Sequence, residues 1–118
     1  MNAKFLLWLQ GLIAAGDTHP FYLTGEWKSL SSEVMRMDRG ECQLHKARGR
    51  YRRADLVHHV NHVKKRPDLA LDIYYADEQG NRKRNLIAVC RWCHENICHP
   101  DRMHRHMKKK FTTQERWD

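Results

Sequence analysis

Hydrophobic residues near the start of the chain recur at helical spacing. The residues that would share one face of the helix are Phe5, Trp8, Leu9, Leu12 and Ile13. The repeat predicts a helix ending near Ala15, because Gly16, Asp17 and Pro20 are stop signals. We expect its apolar face to be a core or docking surface. The hydrophobic run over residues 5–15 is too short to span a bilayer, so no membrane anchor is predicted.

Two further helices are predicted from capping and stop residues. The first covers residues 31–39, with Ser31 or Ser32 as its N-cap and Gly40 as its end. Helix-compatible sequence also follows Cys93, and Asp101 can cap a helix through residue 110.

Between these helices the pattern changes to short strands. Residues 56–60 and 85–89 are apolar and β-branched, and Gly80 with Asn81 marks a turn before the second of them. The order helix, strand, turn, strand, helix predicts an α+β fold. We divide the 118-residue chain into an amphipathic helix over 1–20, a domain over 21–100 and a basic helix or tail over 101–118.

Cysteine and histidine spacing predicts a structural metal site. Cys42 and His45 are separated by two residues, as are Cys90 and Cys93. This spacing lets one tight turn present two donors to a tetrahedral ion, so the four residues predict a Cys3His zinc site. Cys98 can replace His45, and buried free cysteines are the alternative interpretation. Zinc thiolates require reduced sulfur, which favours a cytoplasmic protein over an exported one.

Positive charge is both abundant and clustered. Lysine and arginine outnumber the acidic residues by 22 to 14, giving a formal net charge of +8. Such a surface attracts phosphate backbones, so double-stranded DNA is the first partner to consider, although a basic surface can also serve solubility alone. Beyond a basic run over residues 102–110, the predicted DNA-binding residues are Arg48, Arg50, Arg52, Arg53, Arg82, Lys83 and Arg84.

Three histidines form a second group of possible ligands. His58 and His59 are adjacent in a predicted strand, and His94 directly follows Cys93. Because successive strand side chains leave on opposite faces, one of the pair can hold a metal while the other addresses a water molecule. The zinc turn would fix the direction of His94. A histidine that only packs in the core is the alternative for each of them.

These residues resemble the HNH endonuclease family, especially its small phage-encoded members. The resemblance runs from about residue 21 to residue 100. It is carried by Phe21-Tyr22, Glu26-Trp27, Leu30, Val34, Asp38, Val57-His58-His59-Val60, Arg66-Pro67-Asp68-Leu69-Ala70-Leu71-Asp72, Asn85-Leu86-Ile87 and Cys90-Arg91-Trp92-Cys93-His94.

The resemblance implies a ββα-metal core with a structural zinc and flanking helices. It implies that His58 and His94 bind one catalytic divalent ion (Mg²⁺, Mn²⁺, Ni²⁺ or Zn²⁺), that His59 is the general base and that Asn85 steadies the base and its loop. The implied activity is nicking or double-strand cleavage of DNA, in phage DNA packaging with terminase subunits.

Three features depart from the family pattern. His45 stands where the family usually has a cysteine. Residues 73–84 are additional and are expected to form a hairpin that contacts DNA. A third ligand after His94 is not evident, with Cys98 and His99 as candidates.

Two rival functions remain at the level of sequence. One is a zinc module that binds nucleic acid without cleaving it, and the other is an adaptor that docks through the N-terminal helix. A pure binder would not need the set His58, His59, Asn85 and His94, which favours the nuclease.

Overall fold

The computed structural model describes residues 1–98, so the predicted helix over 101–110, the basic tail and His99 lie outside the described residues. The helices are α1 (Ala3–Ala15), α2 (His19–Tyr22), α3 (Gly25–Met37), α4 (Gln43–Ala47) and α5 (Arg91–Cys93), with a 3-10 turn at Pro67–Leu69 and a π-helical turn at His94–Cys98. The strands are β1 (Leu56–His59), β2 (Tyr74–Ala76), β3 (Arg82–Arg84) and β4 (Leu86–Val89). None of the helices within residues 1–98 has the length and apolar character that crossing a membrane requires.

Helix α1 ends where the sequence predicted. The Asn2 side chain accepts a hydrogen bond from the Phe5 amide at 2.7 Å, and Gly16 adopts a left-handed conformation at the other end, with φ of 78°. A left-handed C-terminal residue favours glycine because a Cβ is disfavoured there. Leu9 is fully buried in the same core as Phe21, so α1 is an integral part of the folded unit.

Helix α3 begins six residues before the predicted start, which is a correction. Its N-cap is Thr24, whose hydroxyl oxygen accepts a hydrogen bond from the Trp27 amide at 3.2 Å. Ser31 lies inside the helix, with its hydroxyl directed to the Lys28 carbonyl oxygen. The prediction missed the first two turns because Ser31 and Ser32 are N-cap residues as favourable as Thr24. Trp27 and Val34 are buried one heptad apart on the same face.

Two antiparallel strand pairs organise the rest of the chain. β1 pairs with the distant β4, aligning Leu56 with Val89 and His59 with Leu86. β2 and β3 form the hairpin that the additional stretch predicted, and Gly80 in its turn has φ of 82°. Strand β4 joins two buried clusters, because Leu86 packs with the core of α1 and α3 while Val89 packs with three buried cysteines.

A buried ion pair fixes α3 against these strands. The Asp38 carboxylate accepts two hydrogen bonds from the Arg84 guanidinium, at 3.1 and 3.0 Å, and a third from the Ala88 amide at 2.9 Å. Arg84 also donates to the Leu86 carbonyl oxygen. Arg84 was predicted to contact DNA, whereas in the structure its guanidinium makes hydrogen bonds inside the fold.

Candidate metal centre and active-site cleft

The two predicted cysteine and histidine half-sites come together at the end of β4. The ligand atoms of Cys42, His45, Cys90 and Cys93 all lie within 4.8 Å of one another. The His45 Nδ1 atom is 3.4 Å from the Cys42 sulfur, 3.7 Å from the Cys90 sulfur and 3.2 Å from the Cys93 sulfur. His45 therefore completes the group that the sequence predicted, rather than Cys98, which lies in the π-helical turn.

Two short helices, α4 and α5, position the four potential ligand atoms. Cys42 precedes α4, which carries His45, and Cys90 caps α5 by accepting a hydrogen bond from the Cys93 amide at 3.4 Å. Helix α4 was not predicted from the sequence, because its five residues lie within the metal loop and have no apolar repeat of their own.

The three buried sulfurs lie so close together that their ionisation favours a bound cation. Burial raises the pKa of Cys42, but hydrogen bonds from the ring and backbone of His45 outweigh it and lower that pKa to about 6. Burial and the neighbouring sulfurs of Cys90 and Cys42 raise the pKa of Cys93 to about 12. Three such sulfurs cannot all ionise without a compensating charge, and a tetrahedral divalent ion supplies one. The Arg48 guanidinium lies 3.4 Å from the Cys93 sulfur and adds positive charge.

A cleft of about 1190 Å³ opens next to this centre and holds the other predicted histidines. His58, His59 and His94 all line it, together with Tyr22, Trp27 and His62 among other residues. The backbone amide of His94 donates to the Cys90 carbonyl oxygen at 3.0 Å, so the turn that carries Cys90 and Cys93 also holds the backbone of His94.

His58 lies at the centre of a group of imidazoles. Its ring centroid is 5.2 Å from that of His94 and 6.0 Å from that of His62. His62 was not among the residues predicted from the sequence. Its spacing of four residues from His58 was visible, but the residues after β1 form a loop, where spacing does not predict which way a side chain points.

His59 leaves β1 on the opposite face and is held by two contacts. Its Nε2 atom is 2.9 Å from the Ala70 carbonyl oxygen, and its ring stacks on Trp27 with centroids 4.7 Å apart. A carbonyl oxygen can only accept, so Nε2 carries the proton and Nδ1 of the neutral ring carries a lone pair. Burial lowers the pKa of His59, the hydrogen bond to Ala70 partly opposes this, and His62 lowers it further.

Asn85 ties together the two loops that flank His59. Its side-chain amide donates to the Leu69 and Asp72 carbonyl oxygens at 2.8 and 2.9 Å. Its side-chain oxygen accepts from the backbone and the side chain of Asn61 at 3.0 and 2.9 Å. The loop thus held contains Ala70, whose carbonyl oxygen contacts the His59 ring.

The predicted DNA-binding residues lie in two regions. Arg48, Arg50 and Arg52 line a second cavity beside His45, and Arg53 forms an isolated bridge with Glu41. Arg82 stacks over the Tyr74 ring at 3.8 Å, and Lys83 pairs with Asp77 at 3.3 Å, both on the exposed hairpin.

The sequence matches no protein-family model and no curated protein. Among solved structures, the fold is similar to that of an HNH endonuclease from the deep-sea thermophilic bacteriophage GVE2, whose crystal structure contains a manganese ion. The similarity covers 88% of this chain and 98% of that chain, with a TM-score of 0.59 and 20% sequence identity. The predicted α+β class is thereby confirmed, and the chain has the fold of an HNH endonuclease.

Proposed function

We propose that this protein is a metal-dependent endonuclease that hydrolyses phosphodiester bonds in DNA. The observation that carries the proposal is the position of His59, which is buried, neutral and fixed by Ala70 and Trp27 at the edge of a cleft that three other histidines line. A histidine that only filled the core would not need this arrangement beside a group of potential metal ligands.

His58 and His94 are proposed as ligands of the catalytic ion, with His62 as a third ligand. Neutral imidazole nitrogens are good donors for transition metal ions, so this set favours Ni²⁺ or Zn²⁺ over Mg²⁺, and Mn²⁺ is included because the GVE2 protein was solved with it. A divalent ion bound there supplies positive charge to the scissile phosphate and its leaving oxygen.

His59 acts as the general base in this proposal. Nε2 donates its hydrogen bond to the Ala70 carbonyl oxygen, so the lone pair on Nδ1 is the one that accepts a proton from the water molecule that attacks phosphorus. The lowered pKa keeps the ring neutral near pH 7, which is the form that can accept the proton. Asn85 serves as a positioning residue, because it holds the loop that orients the His59 ring.

The structural centre is proposed to hold zinc. Three thiolates and one imidazole are a common ligand set for structural zinc, and the described ligand atoms are close enough to share one ion. This ion would have a structural role and would fix the direction of His94. His94 itself would bind the catalytic ion in the adjacent cleft.

The substrate is proposed to be double-stranded DNA. Arg50, Arg52, Arg53, Arg82 and Lys83 are exposed and provide contacts to the phosphate backbone. Backbone contacts give little sequence choice, so cleavage is expected to have weak specificity. A role in phage DNA packaging with terminase subunits, in the host cytoplasm, is the biological setting that we propose for this activity.

Cleavage of supercoiled plasmid tests the proposal. Wild-type protein, supplied in turn with Mn²⁺, Ni²⁺, Zn²⁺ and Mg²⁺, should produce nicked or linear DNA with at least one ion. His59→Ala should abolish cleavage yet leave DNA binding and circular dichroism unchanged. The matched control is His19→Ala, which alters an exposed histidine outside the cleft and should cleave normally.

Two results would contradict the proposal. Undiminished cleavage by His59→Ala would exclude this residue as the base. Tight DNA binding by the wild type without cleavage under any of the four ions would favour the non-catalytic zinc module instead.

A further inference from the structure

A second cavity, of about 490 Å³, borders the metal centre at His45 and shares no lining residue with the cleft. We name it the arginine pocket, and its lining residues are His45, Arg48, Arg50, Arg52 and Trp92. We propose that the arginine pocket binds an unpaired nucleotide of the DNA substrate, with the base stacked on Trp92 and the phosphate held by the arginines. This inference extends the proposed function and depends on DNA binding, not on cleavage.

Trp92 is a large aromatic residue that the fold leaves in solvent. It lies between Cys90 and Cys93, and 49% of its surface is exposed. Its carbonyl oxygen accepts a hydrogen bond from the Asn96 side chain at 2.8 Å, and its ring centroid is 6.4 Å from that of His45. The turn that carries Cys90 and Cys93 therefore presents the exposed, flat apolar ring of Trp92 beside His45.

The backbone of the arginine loop is fixed to the same centre. The amides of Arg48 and Arg50 donate to the His45 carbonyl oxygen at 3.0 and 2.9 Å, and the Cys42 amide donates to the Arg52 carbonyl oxygen at 2.7 Å. The Arg48 side chain is also held, by the Leu44 carbonyl oxygen at 3.2 Å and the Cys93 sulfur at 3.4 Å. Three arginines therefore line one cavity whose lining contains no acidic residue.

The combination of charge and aromatic surface defines the ligand. Guanidinium groups bind phosphate, and an exposed tryptophan ring stacks on the face of a nucleobase. In a duplex these faces are covered by the neighbouring base pairs, whereas a single strand exposes them. Phosphate contacts to a duplex would require the arginines but not Trp92. The pocket therefore fits a single-stranded segment next to the duplex, such as an overhang or a flap.

Fluorescence anisotropy with two labelled DNA probes tests the proposal. One probe is a blunt duplex, and the other is the same duplex with a single-stranded overhang. Both are titrated with the full chain, its bound metal retained and no further divalent ion added, so that cleavage does not interfere. Wild-type protein should bind the overhang probe more tightly than the blunt probe.

Trp92→Ala should weaken binding of the overhang probe by about tenfold, because the variant loses the stacking of one base on an aromatic ring. Binding of the blunt duplex should not change. Trp92→Phe should restore most of the preference, because phenylalanine also stacks. Trp8→Ala is the matched control, since Trp8 is a comparably exposed tryptophan on α1, at 41%. Metal content is measured for every variant to show that the Cys3His centre is intact.

Three outcomes would overturn the inference. The first is equal affinity of the wild type for both probes, and the second is an equal loss on both probes in Trp92→Ala. The third is tighter binding of a further probe, the same duplex with an RNA overhang, than of the DNA overhang probe. A protein that prefers the overhang but cleaves no DNA would contradict the proposed endonuclease activity and leave the arginine pocket supported. The two proposals can therefore fail separately.

Discussion

At the scale of single residues, His62 is the functional candidate that only the structure identified. Spacing predicted the Cys3His ligands because each pair sits on one tight turn, so distance along the chain fixes distance in space. His62 instead follows β1 in a loop, and its approach to His58 depends on the path of that loop. The same reason explains why the contact between His59 and the Ala70 carbonyl oxygen could not be predicted.

His62→Ala should weaken binding of Mn²⁺ to the cleft, because it removes one of the three imidazoles that we propose as ligands. Even residues that only support a ligand change metal affinity by about 10- to 100-fold when replaced, so a loss of at least tenfold is expected. Electron paramagnetic resonance of free Mn²⁺ during a titration measures the affinity without reference to cleavage. His19→Ala should bind Mn²⁺ like the wild type. Unchanged affinity in His62→Ala would remove His62 from the ligand set.

Asn85→Ala should reduce both stability and cleavage. The substitution removes four hydrogen bonds and leaves polar groups of Asn61, Leu69 and Asp72 without their partner in a buried region. Each such loss costs about 1 kcal/mol, so the free energy of unfolding should fall by roughly 4 kcal/mol. Urea denaturation measures this fall. Asn96→Ala, which removes one exposed hydrogen bond, should change it by much less.

At the scale of elements, turn and stop residues predicted more of the fold than apolar periodicity did. Gly16 and Gly80 marked the end of α1 and the hairpin turn, because a left-handed conformation favours glycine. The start of α3 was predicted six residues late, because Ser31 and Ser32 are N-cap residues as favourable as Thr24, which caps the helix in the structure. The pairing of β1 with β4 joins residues far apart in sequence, and short strands alone do not specify a partner.

The contacts of Arg84 inside the fold could not be predicted for the same reason. In the run Arg82-Lys83-Arg84 all three residues look equally basic, but only Arg84 is directed to the buried Asp38 carboxylate. Asp38 precedes it by 46 residues, so no local pattern indicated the pair.

Asp38→Ala should destabilise the protein substantially, because it leaves the Ala88 amide without an acceptor and leaves the half-buried Arg84 guanidinium with only the Leu86 carbonyl oxygen. Removing one partner of a buried pair costs roughly 3–5 kcal/mol, and the partial exposure of Arg84 places the expected loss at the lower end, about 3 kcal/mol. Equilibrium denaturation in urea gives the value. Lys83→Ala breaks an exposed pair with Asp77 and should cost less than about 1 kcal/mol. Equal losses in the two variants would show that the Asp38 pair does not hold α3 in place.

At the scale of the whole molecule, the metal centre is the second of two cores, and its side chains alone bury little apolar surface. Besides Val89, its buried members are Cys42, Cys90 and Cys93, which attract one another only through a shared ion. The first core packs α1, α2, α3 and the start of β4 and contains none of the four potential ligands. The two clusters meet at β4, so loss of the metal should affect the cleft through His94 and through the pairing of β1 with β4.

Removal of this metal by a strong chelator should therefore unfold α4, α5 and the end of β4, which pack around the four ligands and not in the first core. Structural zinc contributes on the order of 10 kcal/mol, which is comparable with the whole stability of a small domain. Far-ultraviolet circular dichroism should lose signal on chelation and recover when Zn²⁺ is restored, and Cys90→Ser should behave like the chelated wild type. Cys98→Ser is the matched control, because Cys98 lies outside the four-ligand group among residues 1–98 and should keep both its metal and its spectrum. A chelated wild type with unchanged circular dichroism would show that packing of the first core holds β4 and His94 in place without the ion.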